Sequence, residues 1–390
     1  METLFPFFII LFAGFFFSEF FNRLHLPWVI ALMISGYLIG PGGFGIIEVS
    51  PVFEFLSNMG LIFVMFMAGI EADFFHQTRQ KYFGKAFAIG IIGALFSWIF
   101  GVLIAVALGL SLFAGVLLGI ILISSSMAIT MPILEGNGLI EKKIGKTILS
   151  VMVIQDVLCL VLFSFFSHFA LGEQSLSPFI IYPILIALLF LLRKGIPLVR
   201  SYFVKEFHKE DKDIFEQELR AVLVLLIGIV ALFSVLGVHE ILAAFLAGMI
   251  LTDLISHRDI RKDIHAFGYG LFIPIFFASV GMTTDFSAID LTQSGFIASV
   301  VILVLGVITI KAVTGYFGGR LLKISHSESL VLGSSVVPQL STGLALVFVG
   351  RQAGLFDDTL VALFVLLTIV SAVVAPFLMK MSINSLKNKK

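Results

Sequence analysis

Stretches of about 20 apolar residues recur along this chain between short polar links, and no other feature of the sequence narrows its folding choices as far. Inside a bilayer no water is present to satisfy backbone N–H and C=O groups, so each stretch must close its own hydrogen bonds as a helix. Hydrophobic residues make up 59% of the 390 and charged residues 13%, a balance that excludes an ordinary soluble domain. The spacing predicts an all-α polytopic membrane protein with thirteen spans. They run approximately over 4–21, 26–40, 55–70, 83–108, 111–134, 145–171, 178–199, 219–237, 240–254, 267–281, 295–319, 328–349 and 358–379. Two of these, 26–40 and 267–281, are short. The opening METLFPFF lacks the basic region and cleavage site of a secretory signal and is read as the first membrane helix.

Charge distribution supports the count, because cytoplasmic links collect Lys and Arg. With the amino terminus outside, the inner links hold Arg23; Arg79, Lys81 and Lys85; Lys142, Lys143 and Lys146; the run from Arg193 to Arg220; Arg258, Arg261 and Lys262; and Arg320 with Lys323. The carboxyl-terminal tail, also inside, adds Lys380, Lys387, Lys389 and Lys390. The outer links hold Glu48, Glu54, Glu173, Glu240, Asp285, Asp290, Asp357 and Asp358, with Arg351 their one basic residue. Lys311 alone remains, and it lies within the eleventh span. An error in the span count would scatter these charges over both sides.

Lys311 precedes Arg320 by nine residues, which places it ~13 Å above the cytoplasmic end of its helix. In the sixth span, SVMVIQDVLCLVLF carries Asp156 ten residues after Lys146, hence ~15 Å above the same side. A central Asp or Lys costs ~2.5–3.5 kcal/mol even on the lenient insertion scale, and neither residue is close enough to a helix end to snorkel. A buried acid and base at one depth each lower the cost of the other. Cys159, the single cysteine, is a small core residue in the same span; it excludes intrachain disulfides and a thiolate metal centre.

Two further spans are interrupted at their middles. The fifth carries Ser124, Ser125, Ser126, Thr130 and Pro132; the twelfth carries Pro338, Gln339, Ser341, Thr342 and Gly343. Proline and clustered hydroxyls free backbone carbonyls, which a bilayer tolerates only where they are buried in protein or line a cavity. Broken helices at matching places in two halves mark the substrate site of a secondary transporter. A span, a broken span and a polar-marked span occur at positions four to six and again at eleven to thirteen. An odd offset of seven spans inverts the second copy relative to the first. The polar stretch KEFHKEDKDIFEQELR at 205–220 reads as a solvated linker between halves, and GPGGFG at 40–45 as a turn, with no Lys-Ser or Lys-Thr after it to hold phosphate.

PWVIALMISGYLIGPGGFG in the second span, LIFVMFMAGIEAD in the third, VIQDVL in the sixth, FLAGMILTD in the ninth and FIPIFFASVGMTTDF in the tenth together resemble the second family of monovalent cation:proton antiporters. The motifs are most similar to the membrane part of Kef-type potassium–proton systems. The resemblance covers nearly the whole chain and implies an NhaA-like antiporter fold of thirteen helices, with inverted repeats and two crossed broken helices. It implies core segments 83–171 and 295–390, scaffold segments 1–82 and 219–294 that form a homodimer, and a linker, 172–218, with the seventh span. It also implies a location in a bacterial inner membrane. Asp156 matches the family's ion- and proton-binding aspartate and Lys311 its basic residue. Gln155 stands where many sodium-translocating relatives have a second aspartate, and PQLSTG at 338–343 where relatives often have glycine and glutamate.

A carboxylate in a low-dielectric site binds either a proton or a cation. Hard alkali cations take oxygen ligands, here Asp156 as the metal-binding carboxylate for Na⁺ or K⁺, with Gln155, Ser125, Ser126 and Thr130 and freed carbonyls beside it. Lys311 would hold the empty site together, with Gln339, Ser341 and Thr342 at the second break. No cofactor is expected beyond the transported ions, and no covalent catalysis: Asp156 and Ser125 lack the second aspartate or the histidine that an intramembrane protease needs. A channel would require a pore-lining ring that the sequence lacks. A sodium-coupled organic-solute carrier shares crossed broken helices and remains the alternative; the sequence leaves Na⁺ against K⁺ and the stoichiometry open.

Overall fold

The computed structural model describes residues 4–23, 27–76, 83–170, 178–207, 217–255, 258–286 and 296–387. Sixteen α-helices and one five-residue π-helical turn make up its regular structure, with no strand among the described residues. The chain opens with α1 (Leu4–Arg23), α2 (Trp28–Ile39) and α3 (Pro51–His76). After these come α4 (Phe83–Ala107), α5 (Leu112–Ile121), α6 (Met127–Gly136) and α7 (Lys143–Ala170). The middle holds α8 (Pro178–Phe207), α9 (Gln217–Val235), α10 (Glu240–Leu251), α11 (Arg258–Phe267) and α12 (Ile273–Thr283). The last set is α13 (Phe296–Leu321), α14 (His326–Ser335), α15 (Ser341–Gln352) and α16 (Asp358–Lys387).

Seven helices among the described residues are long and apolar enough to cross a membrane by themselves. The half-helices α5, α6, α14 and α15 have 10 to 12 residues, a length of ~15–18 Å that reaches the middle of a ~30 Å hydrocarbon layer. One expectation is corrected here. The tenth span is not short, because α11 runs without interruption through the π turn at Gly268–Phe272 into α12, giving an apolar stretch over Ile260–Thr283. Arg261, Lys262 and Asp263 in its first turns hide that start from a hydropathy average.

Packing divides the chain into two units. One comprises Met1–Phe53, Thr78–Phe163 and Phe277–Lys390; the other comprises Glu54–Gln77 and Ser164–Phe276. In the second unit Phe63 of α3 stacks on Phe272 of the π turn with ring centroids 4.9 Å apart. The first unit contains the two interrupted spans. GPGGFG forms the turn after α2, where the N–H of Gly45 bonds to Gly40 O at 2.9 Å and Gly45 takes a φ of 63°. Arg351, the basic exception among the outer links, donates to Thr283 O at the end of α12 and pairs with Asp358 Oδ1 at 2.7 Å. It thereby caps the carbonyl end of one helix while joining the starts and ends of two others.

The recurrence expected from span order is present in the order and length of the helices. The helices α4 to α7 recur as α13 to α16 in the same pattern of long helix, two half-helices about a break, long helix. Gly101 of α4 lies so close to α5 that a Cβ there would stand 2.5 Å from Gly119 Cα. Gly315 of α13 lies equally close to α14, with Gly333 Cα 2.8 Å from such a Cβ. Gly315 and Gly333 each follow their counterparts by 214 residues, the shift that carries Leu112–Ile121 onto His326–Ser335. Bare backbone at both seams allows closer approach than any side chain would permit.

Candidate functional site

Ser111 caps α5 with its hydroxyl on the N–H of Ala114 at 3.1 Å, and Ser325 does the same for α14 through Glu328. Both half-helices then stop. Residues 122–126 separate α5 from α6, and residues 336–340 separate α14 from α15. Ser124, Ser125 and Ser126 lie in the first gap with Pro338 and Gln339 in the second, whereas Thr130 and Pro132 fall inside α6 and Ser341, Thr342 and Gly343 begin α15.

The two gaps are hydrogen-bonded to each other. Ser126 N donates to Pro338 O at 2.8 Å, Ser125 Oγ lies 3.0 Å from Val336 O, and Thr130 Oγ1 donates to Ser335 O at 2.8 Å. Gln339 Nε2 reaches back to Ser124 O at 2.8 Å and Leu122 O at 3.5 Å. Each break thus satisfies carbonyls or amides that the other leaves open, as burial away from water requires.

Asp156 enters this crossing from α7, with 3% of its surface exposed. Its Oδ1 accepts from Ser125 N at 3.4 Å. Lys311, on α13 and 1% exposed, donates to Ser124 O, to Ser125 Oγ at 3.1 Å and to Ile123 O at 3.5 Å. Its ammonium therefore sits on the carbonyl end of α5, where a cation complements the helix dipole. Ser125 joins the two charges through its N–H and its hydroxyl, and they lie within electrostatic reach of each other. A buried pair held through hydrogen bonds recovers part of its desolvation cost.

Gln155, 2% exposed, completes the network: its Oε1 lies 3.1 Å from Ser125 Oγ. The single Ser125 proton goes to this oxygen or to Val336 O. The amide nitrogen of Gln155 rests on Gly93 of α4, where a Cβ would stand 2.6 Å away. Cys159, one turn further along α7, donates its thiol to Ile120 O at 3.1 Å and is buried.

The structure therefore brings Asp156, Gln155, Ser125, Lys311 and Gln339 into one hydrogen-bonded group. Thr130 ties α6 to α14, Ser126 Oγ is without a partner among the described residues, and the Ser341 and Thr342 side chains stay outside the network. Two participants escaped the sequence: Gly93, and Ser371 of α16, whose hydroxyl accepts from Gln339 N at 3.1 Å. The group has oxygen donors and one carboxylate suited to a small hard cation. No cluster of three or more His, Cys, Asp or Glu occurs among the described residues.

The family described as "Sodium/hydrogen exchanger, transmembrane" matches residues 7–382. The "Probable Na(+)/H(+) antiporter 3" of Methanocaldococcus jannaschii is 28% identical over 388 residues, covering 98% of this chain and 97% of the relative. The "Na(+)/H(+) antiporter" of Enterococcus hirae is 28% identical with 92% of each chain covered, and the "Na(+)/H(+)-K(+) antiporter GerN" of Bacillus cereus is 26% identical with 92% and 90% covered. Among solved structures, the sodium proton antiporter MjNhaP1 of M. jannaschii at pH 8 superposes with a TM-score of 0.72 at 19% identity, covering 98% of this chain and 99% of that one.

Proposed function

The chain belongs to the transmembrane sodium/hydrogen exchanger family, and from that premise we propose that it exchanges a monovalent cation, Na⁺ or K⁺, for H⁺ by alternating access. The observation that carries this is Asp156, a buried carboxylate joined through Ser125 to Lys311 at the crossing of two broken helices. Cation and proton occupy Asp156 in turn, because each neutralises the same carboxylate. Lys311 remains on its carbonyls as a fixed counter-charge. The core segments 83–171 and 295–390 move against scaffold segments 1–82 and 219–294, which dimerise with a second copy. The protein sits in a bacterial inner membrane with its amino terminus outside and its carboxyl terminus in the cytoplasm, in accord with the Lys and Arg asymmetry of the links.

The direct test uses liposomes with an entrapped pH dye and an imposed proton gradient, to which Li⁺, Na⁺, K⁺ and choline are added in turn. Collapse of the gradient by Na⁺ or K⁺, but not by choline, is the expected outcome; indifference to all alkali cations would remove the exchange function.

Gln155 leaves the site without a second carboxylate to carry an extra proton, so transport is expected to be electroneutral, one cation per proton. Vesicles clamped with valinomycin at zero and at strongly negative potential, with Na⁺ as the tested cation, should give equal rates and an unshifted reversal gradient. A reversal point that follows voltage would mean that a second group, Lys311 foremost, releases a proton in each cycle.

Thr130 uses its proton on Ser335 O and keeps its lone pairs for a cation. Thr130→Val should raise the half-saturating cation concentration by about 2–10-fold, the worth of one neutral hydrogen-bond or ligand contact, with a smaller change in maximal rate. Unchanged half-saturation for every cation would confine Thr130 to tying the helices together.

A further inference from the structure

Four buried side-chain atoms have no hydrogen-bond partner among the described residues: Ser57 Oγ, Ser97 Oγ, Ser126 Oγ and Gln339 Oε1. Ser57 lies on α3 in the other unit. The remaining three are all neutral oxygens, all 3% exposed or less, and all belong to the unit that holds the crossing. Ser126 and Gln339 are neighbours across it, since Ser126 N bonds to Pro338 O. Ser97 lies one turn after Gly93 and one turn before Gly101, on the same face of α4. At Gly93 that face meets the Gln155 amide, and at Gly101 a Cβ would stand 3.1 Å from Leu122 Cδ1 at the start of the first break. Ser97 therefore faces the strip between Gln155 and the crossing.

The repeat gives this serine a further meaning. A shift of 214 residues, the one that carries Gly101 to Gly315, carries Ser97 to Lys311. One half of the molecule thus places a tethered ammonium beside its partner's broken helix, and the other half places a hydroxyl at the equivalent position. One carbonyl freed by the first break is already filled on both lone pairs: Ser124 O receives Lys311 Nζ and Gln339 Nε2. The three unpartnered oxygens offer an arriving cation ligands that no other group uses.

We propose that the transported cation is seated by Ser97 Oγ, Ser126 Oγ and Gln339 Oε1 together with the Asp156 carboxylate, a ligand set that rests on the exchange function proposed above. Leaving a buried acceptor unsatisfied is costly, and an alkali cation satisfies three of them at once. Gln339 Oε1 is suited to the task because it has no rotor to turn away: its amide is held at one end by Ser124 O and its backbone N–H by Ser371 Oγ. The neutral character of all three leaves Asp156 as the sole charge that cation and proton contest. Lys311 acts as the permanent cation of one half and the transported ion as the exchangeable cation of the other.

Ser97→Ala and Ser126→Ala provide the test, because each removes an oxygen that bonds to nothing in the described protein and so leaves the fold intact. In liposomes, each should raise the half-saturating concentration of Na⁺ or K⁺ by about 2–10-fold, with most of the maximal rate retained, and the double variant should exceed either. In detergent at constant ionic strength maintained with choline, the rise in apparent melting temperature produced by Na⁺ or K⁺ should shrink in the same order. Unchanged half-saturation and an unchanged cation-induced melting shift in the double variant would overturn the ligand set. Failure of the exchange function itself has a different signature: no alkali cation drives proton flux in the parent protein, or flux persists when Asp156 is neutralised.

Discussion

Asp156→Asn is expected to reduce both cation-driven proton movement and proton-driven cation uptake to the level of protein-free liposomes. Asparagine matches the shape of aspartate but neither releases a proton nor offers a charge to a cation. The variant should insert and fold, because Lys311 keeps Ser124 O, Ile123 O and the Ser125 hydroxyl as partners when the carboxylate is gone. A normal elution profile by size exclusion, coupled to absent flux with Li⁺, Na⁺ and K⁺ alike, is the result to look for. Substantial exchange in Asp156→Asn vesicles would place the coupling group elsewhere.

Lys311→Met is expected to have the largest effect on stability. Methionine fills a similar volume but leaves the Asp156 charge buried without its compensating ammonium, and removing one partner of a buried pair costs about 3–5 kcal/mol. It also strips one donor from the Ser124 carbonyl, leaving Gln339 Nε2 as its remaining partner among the described residues. The apparent melting temperature should fall clearly below that of the parent protein. Combining the two changes supplies the decisive comparison, since Asp156→Asn in the Lys311→Met background removes the orphaned charge. The double variant should melt above Lys311→Met alone while transporting nothing. Additive losses would show that the two residues do not compensate each other.

Much of this was legible because a bilayer makes local sequence decisive. A run of apolar residues such as LFAGVLLGII, residues 112–121, has one way to satisfy its backbone, so helices could be placed without knowing their neighbours. The breaks announced themselves through Ser124 to Ser126 and Pro338, residues that give up helical bonds readily. Their limits did not, because a proline well inside a helix, as Pro132 is in α6, forfeits a single bond and looks from sequence like a stop. The partners of the site were hidden for a different reason. Ser371 lies 32 residues beyond Gln339 and Gly93 more than 60 residues before Gln155, and only tertiary packing joins them. Ser97 was the least visible, since one serine in an apolar helix carries no pattern; only the correspondence of the two halves, marked by their glycines, puts it in the place of Lys311.

Those glycine seams also set what kind of motion the crossing permits. Where Gly101 meets Gly119 and Gly315 meets Gly333, backbone lies on backbone, flanked by Leu122 and Trp98 at the first seam and by Val336 and Tyr316 at the second. Longitudinal sliding of either pair would drive peptide groups into each other, and close packing of this kind transmits a push without yielding. Each seam fastens a long helix to its half-helix. Lys311 is one turn from Gly315 and Ser97 one turn from Gly101, so both are carried along with the half-helices their own helices are fastened to. A core that moves against its scaffold, as proposed above, would thus take its ion-binding oxygens with it at a constant spacing.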